Sequence, residues 1–221
     1  MSERWIGPVA DSLDPVELLS RETVHVGGKW RVDVETIKIA GQRVTRDILI
    51  HPGAVAVLVL NECDEVLLIR QYRQPLGMFL FETPAGLLDV PDENPLAAAQ
   101  RELAEEAGVV AARWDTLVDF YNSPGGSSEA IRIYLAREIS EIPAGRMVTG
   151  EAEEVNLPLV WVPLPKAVDL VLNGALGNPT AVLGILATWA WKSIAGCELR
   201  GSNAPWTARE GLNNLGRLPA V

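Results

Sequence analysis

The 221-residue chain is 48% hydrophobic and 22% charged, which suffices to bury a core as one domain. Its formal net charge of −10 at pH 7 argues against a broad nucleic-acid-binding surface, which would be basic. Two cysteines, Cys63 and Cys197, are too few for a disulfide framework and favour a cytoplasmic protein with free thiols. The first fifteen residues lack a secretion-signal pattern, and the longest apolar stretch, 181–190, is too short to span a bilayer.

Residues 1–50 form the first of three zones and predict an antiparallel β-region. From residue 20 onward the side chains alternate in character, and a turn at Gly41–Gln42 separates two of the expected strands. Trp30, Val32 and Val34 share one face of the strand that precedes this turn. We therefore expect a small sheet that is distinct from the main domain.

Residues 51–195 hold the expected main domain, in which strands are mixed with a few helices. One hairpin is expected around residues 61–64, and a second pair of strands is joined by the loop SPGGSSE. Helices are expected over residues 164–173 and 179–194. The expected strands cover residues 54–60, 66–71, 116–121, 130–135 and 157–162.

The second of these helices is apolar nearly all round, including Trp189 and Trp191, so we expect it in a core or at a subunit contact. The tail, residues 196–221, is rich in Gly, Asn and Pro and receives no predicted element. Strands and helices that lack a regular βαβ alternation indicate an α+β fold.

The run from Gly86 to Val109 carries the strongest functional signal. It places Glu102, Glu105 and Glu106 within two helical turns, where like charges destabilise a helix unless a cation joins them. Mg²⁺ prefers oxygen ligands and retains positions for substrate phosphates. The alternative is a solvated acidic face, which is common on helices.

The surroundings of the three glutamates favour the metal interpretation. Asn94 is suited to cap the helix, Pro95 to begin it and Gly108 to follow its last residue. An apolar stripe beside the acidic face predicts that the helix docks on a core. This stripe consists of Leu96, Ala99, Leu103 and Ala107.

The same run resembles the Nudix hydrolase signature, a Gly and a Glu followed by Arg-Glu-apolar-x-Glu-Glu-x-Gly-apolar. It departs from the common signature in its loop, where six residues instead of five separate Gly86 from Glu93. The resemblance implies a Nudix fold, a mixed β-sheet sandwiched between α-helices. It also implies diphosphate hydrolysis with two or three Mg²⁺ ions per site, or Mn²⁺ in their place. The matching residues are Gly86, Glu93, Arg101, Glu102, Leu103, Glu105, Glu106, Gly108 and Val109.

More of the chain resembles the ADP-ribose pyrophosphatase branch of this family. ETPAGLLDV, residues 82–90, supplies the branch's Ala-Gly pair, which implies that the Ala85 carbonyl joins the three helical glutamates as a metal ligand. The resemblance also implies substrate contacts from Leu87 and from Arg73, the latter to phosphates. For Ala85 the alternative is an ordinary strand-to-loop residue, and for Arg73 a solvated surface arginine.

The loop SPGGSSE matches a substrate-contacting loop of the branch. The match implies that Ser123, Pro124 and Gly125 contact substrate and that Glu129 reaches the site of the partner subunit. A plain hairpin turn is the alternative, although hairpins rarely need seven such residues.

The N-terminal zone also resembles that branch, in which an antiparallel sheet is exchanged across a homodimer. There an aromatic side chain stacks on adenine near an Arg-acid pair, and Trp30, Arg46 and Asp47 occupy comparable places here. The resemblance therefore implies base contacts from these three residues. A core or interface anchor is the alternative for Trp30.

A carboxylate on a mobile segment is expected as well, because closure over substrate assembles such sites. GEAEEVNLP, from Gly150, matches the loop that carries the branch's catalytic glutamate. Glu151 aligns best with the general base and Glu153 with an additional metal contact, while Glu154 remains an alternative. Glu105 is carried over as a catalytic residue besides its metal role. A solvated acidic loop is the alternative for the segment.

Other chemistries find little support in the sequence. His25 and His51 stand at unrelated positions, and there is no CxxC pair, Walker loop or GxGxxG motif. We therefore expect a Mg²⁺-dependent homodimer that hydrolyses ADP-ribose to AMP and ribose 5-phosphate, without nucleic-acid or membrane partners. The alternatives are hydrolysis of another nucleoside diphosphate sugar, such as GDP-mannose, and a non-catalytic ADP-ribose sensor.

Overall fold

The computed structural model describes residues 4–143, 145–146 and 157–218. Within these residues the chain forms three β-sheets and four helices. The strands are β1 (Glu17–Val26), β2 (Arg31–Ile39), β3 (Gln42–Ile50), β4 (Ala54–Val59), β5 (Glu65–Arg73), β6 (Met78–Glu82), β7 (Ala85–Leu87), β8 (Val109–Tyr121), β9 (Ala130–Glu141), β10 (Leu159–Pro163) and β11 (Arg200–Gly201). The helices are α1 (Pro95–Ala107), α2 (Leu164–Leu172), α3 (Pro179–Ser193) and α4 (Thr207–Asn214).

The N-terminal zone is an antiparallel sheet in the order β1-β2-β3. Its central strand buries charge rather than apolar surface: Asp33 and Glu35 are fully buried, whereas Val32 and Val34 on the other face are half-buried. The buried carboxylates are paired with arginines, Glu35 with both Arg21 and Arg217 at 2.6 Å. Burial of these acids is tolerated because each has a charged hydrogen-bond partner.

The main domain is built on a five-stranded sheet in the order β11-β8-β9-β4-β7. It is mixed, because β4 and β9 run parallel while its other described pairs are antiparallel. One face packs on α1 and α4, and the other packs on α2 and α3. The predicted arrangement of a mixed sheet between helices is confirmed.

A third sheet, β10-β5-β6, corrects the hairpin expected around residues 61–64. β4 and β5 belong to different sheets, although the turn between them is closed by a bridge between Leu60 and Val66 and by hydrogen bonds between Asn61 and Glu65. Every residue of β4 is buried, so its side chains show no polar and apolar alternation. The partners of a strand that is buried on both faces are set by the tertiary fold, so the local sequence does not reveal them.

The tail from residue 196, for which no element was expected, contributes β11 and α4. Its position is fixed by long-range contacts: Arg132 donates to the carbonyls of Ala204 and Pro205, at 2.7 and 3.0 Å. The side chain of Trp206, just before α4, is buried in the core beside α1. These contacts come from distant residues, so the Gly- and Pro-rich composition concealed them.

Helix α3 has its expected cap, since the Asn178 side chain accepts hydrogen bonds from the backbone of Thr180 and Ala181. One of its faces is buried against the sheet, with Ala181 and Ile185 fully covered, while Trp189 is 42% exposed. Among the residues described, none of the helices combines the length and apolar composition that a membrane crossing requires.

Candidate functional site

Helix α1 begins and ends where the sequence predicts. The Asn94 side chain accepts a 2.8 Å hydrogen bond from the Leu96 backbone, Pro95 is the first helical residue, and Gly108 closes the helix in the left-handed conformation with φ of 67°. A side-chain cap of this kind contributes about 1 kcal/mol. The apolar stripe packs in the core around Leu103. These anchors fix the rotation of the helix and hence the direction of its acidic face.

The acidic face of α1 meets the short strand β7. Glu102 and Glu106 are only 9% and 4% exposed. The Ala85 backbone N–H donates a 2.8 Å hydrogen bond to Oε2 of Glu106. A Cβ at residue 86 would lie 2.0 Å from Oε1 of Glu102, so only glycine fits that position without movement. The Ala-Gly pair of the sequence is thus the backbone against which two of the three glutamates pack.

Arg101 links the acidic residues of this region. Its guanidinium contacts Glu93 at 2.9 and 3.0 Å, Glu102 at 2.7 Å and Glu105 at 3.1 Å. The hydrogen bond that Arg101 donates to Glu93 is the largest effect on the pKa of Arg101 and raises it above its ordinary value. Burial opposes this rise, and Glu102 adds to it. Glu93 therefore acts through Arg101, which it holds beside the helical glutamates.

The donor chemistry of this face suits a divalent cation. Carboxylate oxygens are preferred ligands of Mg²⁺ and Mn²⁺, and two of the carboxylates are buried beside the β7 backbone. In the part of the chain that the structure describes, no three acidic, histidine or cysteine side chains are already arranged to hold an ion. Glu102 and Glu105 each offer one carboxylate oxygen to Arg101, so an ion at this face would share these two side chains with the guanidinium or displace it.

Two predicted substrate contacts lie next to β7. Arg73, at the end of β5, forms a bidentate ion pair with the buried Glu82, at 2.8 and 2.5 Å. Glu82 is three residues before Ala85, so the guanidinium is held close to the start of β7. Leu87 ends β7, half-buried and opposite Ala54 of β4.

A second group of residues brings together Trp30 and Glu129, which are far apart in sequence. The Trp30 ring stacks on His51 with centroids 5.7 Å apart. Nε2 of His51 lies 3.6 Å from Oε1 of Glu129, whose other oxygen accepts a 2.7 Å hydrogen bond from Asn122. Within one chain, His51 thus bridges the predicted aromatic base contact and the predicted loop glutamate.

His51 is the residue of this group that the sequence interpretation missed. A single histidine with no partner at a metal or triad spacing gave no signal, because both of its contacts come from other elements. Its Nδ1 accepts a 3.1 Å hydrogen bond from the Gly53 backbone, which leaves Nε2 to face Glu129. Burial lowers the pKa of His51, and the Glu129 charge opposes this shift.

The loop before β9 is anchored at one end and exposed at its tip. The backbone of Leu49 exchanges hydrogen bonds of 2.9 Å with Gly126 and Ser128. Ser123 adopts a left-handed φ of 65°, and its carbonyl accepts from the next turn of the loop. Ser123, Pro124 and Gly125 are exposed, which is the arrangement a contact loop needs.

The two neighbours Arg46 and Asp47 lie on opposite faces of β3. Asp47 is paired with Val34, on the side that Val32 and Val34 share, whereas Arg46 is paired with Glu35. Arg46 lines a cavity of about 610 Å³ together with Glu35 and Arg217. The structure therefore does not bring the predicted Arg-acid pair together on one surface.

Two contacts connect the Trp30 group to the loop that leads into α1. Lys29 forms a 2.5 Å ion pair with Asp89, and the Leu88 backbone donates a 3.1 Å hydrogen bond to Gly53. The turn between β1 and β2 that carries Trp30, called the Trp30 turn below, thus lies beside the segment that follows Leu87. The candidate residues Glu151, Glu153 and Glu154 lie outside the described residues.

The fold and sequence match known proteins. The NUDIX domain model matches residues 50–181. The ADP-ribose pyrophosphatase of Mycobacterium tuberculosis is 38% identical over 175 residues, 79% of this chain and 83% of that protein. A methanol dehydrogenase activator of Bacillus methanolicus is 29% identical over 76% of this chain and 89% of its own. The ADP-ribose pyrophosphatase of Bacillus subtilis is 33% identical over 69% of this chain and 81% of that protein.

A solved structure, a crystal structure of an ADP compounds hydrolase, superposes with a TM-score of 0.64. The superposed region covers 83% of this chain and 98% of the hydrolase chain. Because the two sequences are 24% identical, the likeness concerns the fold. The domain match spans more than half of the chain and includes the acidic face of α1, β7 and the strands that position them. The chain belongs to the Nudix family and is a Nudix hydrolase.

Proposed function

We propose that this Nudix hydrolase cleaves the diphosphate bond of ADP-ribose to give AMP and ribose 5-phosphate. The observation that carries the proposal is the packing of Glu102 and Glu106 against the Ala85–Gly86 backbone, with Arg101 completing the cluster. Two relatives at 38% and 33% identity bear the name ADP-ribose pyrophosphatase, which supports the choice of substrate.

In this proposal Glu102, Glu105, Glu106 and the Ala85 carbonyl hold two or three Mg²⁺ ions, for which Mn²⁺ substitutes. Such ions neutralise the diphosphate charge and lower the pKa of a bound water. The chain itself contributes the fixed face of α1 and the cation of Arg101, which balances the carboxylates when no ion is bound. Glu151 is proposed as general base, with Glu153 as a further metal contact and Glu154 as the alternative.

The substrate contacts proposed around this centre come from two directions. Arg73, oriented by Glu82, binds phosphate oxygens, for which the planar guanidinium is well suited. Trp30, 44% exposed, offers its ring to the base. Leu87 and the loop tip Ser123, Pro124 and Gly125 then border the substrate.

The proposed assembly is a homodimer in which the N-terminal sheet, residues 1–50, is shared between subunits. Glu129, Asp47 and Arg46 belong to this part of the proposal. The three-stranded sheet is joined to the main domain by the Leu49 contacts and the Lys29–Asp89 ion pair. These contacts place its Trp30 turn next to the β7–α1 loop of the same chain.

The test is product analysis with purified protein, Mg²⁺ and a panel of ADP-ribose, GDP-mannose, UDP-glucose, NADH and diadenosine polyphosphates. We expect ADP-ribose to be hydrolysed to AMP and ribose 5-phosphate much faster than the other compounds are hydrolysed. This activity should be lost in excess EDTA. Faster turnover of another compound would contradict the substrate. Tight ADP-ribose binding without turnover of any compound would replace catalysis by a sensor role.

Trp30→Ala tests the base contact, with Trp189→Ala as matched control because the two side chains are 44% and 42% exposed. We expect the Trp30 variant to raise KM for ADP-ribose about tenfold with little change in kcat, since a base–aromatic stack contributes about 1–3 kcal/mol. An equal effect of both variants, or none, would contradict a role of Trp30 in base binding.

Deletion of residues 1–50 tests the shared sheet. We expect the truncated protein to be monomeric by light scattering and to bind ADP-ribose more weakly. A truncated monomer with the kinetics of the full chain would overturn the shared site and leave the metal-centre proposal standing.

A further inference from the structure

A surface cavity of about 480 Å³ lies between the C-terminal tail and the start of α1. Asn94 and Pro95 border it, and twelve residues at 1.5 Å each place Asn94 about 18 Å along the helix from Glu106. Glu102, Glu105 and Glu106 are not among the residues that line the cavity. Its volume falls in the range of small-molecule pockets.

The cavity is lined by an arginine for which the described part of the chain offers no counter-ion. Arg209, on α4, is half-buried and donates one hydrogen bond to the Pro52 carbonyl. Among the described residues no carboxylate pairs with Arg209, and burial lowers the pKa of this guanidinium. A desolvated cation without an anion is unfavourable, so an anionic ligand in the cavity would be stabilised by it.

The charges around Arg209 add to this preference. Arg132, 2% exposed, and Arg200 both pair with Asp119, and the Arg132 and Arg209 guanidiniums lie 4.8 and 6.0 Å from the Trp206 ring. Two arginines, Arg132 and Arg209, therefore line the cavity itself, against one exposed acid of its wall, Glu210. This local excess of positive charge occurs in a chain whose net charge is −10.

The start of α1 contributes in the same direction. Its first turn carries no acidic side chain, and Glu93, which precedes the cap residue Asn94, is paired with Arg101. Neutral hydrogen-bonding groups of Ser202, Asn203 and Asn213 complete the wall. Cations with neutral donors are the arrangement that phosphate oxygens require.

We propose that this cavity is a second anion site, which binds a phosphate group, free or as a monoester, through Arg209. The proposed ligand differs from the diphosphate substrate in needing no metal ion. The site and the hydrolytic centre are therefore separable by experiment.

The test is calorimetric titration of the full chain with inorganic phosphate in excess EDTA, which prevents binding through divalent ions at the α1 glutamates. We expect saturable one-to-one binding that weakens at least about tenfold in Arg209→Gln, because a charge-assisted contact is lost. Arg113→Gln, at an exposed surface arginine, is the matched control and should bind as the unaltered chain does.

A repeat with ribose 5-phosphate separates the two sources of phosphate: tighter binding than inorganic phosphate indicates a monoester, and equal affinity indicates free phosphate. Arg209→Lys keeps the charge and should fall between the unaltered chain and Arg209→Gln, which guards against a folding defect in the latter. No saturable binding by the unaltered chain, or equal affinity in a folded Arg209→Gln, would overturn the proposal while leaving ADP-ribose hydrolysis untouched.

Discussion

Gly86 and Glu102 occupy adjoining space so closely that a Cβ at residue 86 would lie 2.0 Å from Oε1 and 2.4 Å from Cγ of the glutamate. The contact joins strand β7 to a buried carboxylate of α1. A change in the β7 backbone at this point therefore acts on the acidic face directly.

Gly86→Ala should displace Glu102 and so weaken Mg²⁺-dependent hydrolysis. The backbone at this glycine is not left-handed, so the strain comes from the added methyl group and costs about 1–3 kcal/mol. We expect at least about a tenfold loss of kcat/KM and a higher Mg²⁺ concentration for half-maximal rate. Gly177→Ala, where a Cβ meets no described atom within 4 Å, is the control. Unchanged kinetics in Gly86→Ala would contradict the placement of Glu102 in the metal site.

Glu106→Gln should preserve the fold and abolish most of the activity. The amide oxygen of glutamine still accepts from the Ala85 N–H, while the negative charge of this 4% exposed side chain is lost. We expect turnover to fall by orders of magnitude with a melting temperature within a few degrees. The control Glu141→Gln, at the exposed end of β9, should leave both the turnover and the melting temperature unchanged. A fully active Glu106→Gln enzyme would remove this residue from the metal site.

Arg101→Gln should lower the stability of the protein and increase the stabilisation that Mg²⁺ provides. Without the guanidinium, Glu93, Glu102 and Glu105 lose their shared cation, at a cost of about 1–3 kcal/mol, or several degrees in melting temperature for a protein of this size. Mg²⁺ should then restore more stability to the variant than it adds to the unaltered chain. Melting temperatures in EDTA and in Mg²⁺ measure this stabilisation, with Arg113→Gln as control. The same rise in melting temperature with Mg²⁺ in the unaltered chain and in both variants would refute the prediction.

Protonation of His51 should destabilise the protein below neutral pH. Burial lowers the pKa of His51 below its ordinary value of 6.5, so the unfolded chain takes up this proton more readily than the folded one. The stability that neutral His51 contributes is complete above about pH 6.5 and is lost as the pH falls toward the lowered folded-state pKa, at no more than about 1.4 kcal/mol per pH unit.

Urea unfolding between pH 7.5 and 5.0 checks the His51 prediction. His51→Gln should flatten the pH dependence, whereas His25→Gln, at the other, exposed histidine, should retain it. The same slope in all three proteins would show that His51 does not titrate as described.

The sequence predicted helix α1 closely because its determinants are local. Asn94, Pro95 and Gly108 define its ends within a few residues, and the 3.6-residue period places Glu102 and Glu106 on one side. The same holds for the Asn178 cap of α3. Signals of this kind need no knowledge of the rest of the fold.

The features that the sequence did not reveal depend on distant residues. The hairpin expected for β4 and β5 was wrong because β4 is buried on both faces and pairs with β9 and β7 instead. His51 gained its role from Trp30 and Glu129, which lie 21 residues before it and 78 after it. The opposite directions of Arg46 and Asp47, by contrast, follow from their being neighbours on a strand, which the sequence already predicted.

The ion pair between Glu35 and Arg217 also bears on how the protein matures. The two residues are 182 positions apart, and Glu35 is fully buried in the finished fold. At translation rates of about 5–20 residues per second, Arg217 is added roughly 9–36 s after Glu35. Before Arg217 has been added, Arg21 is the described arginine that can pair with Glu35.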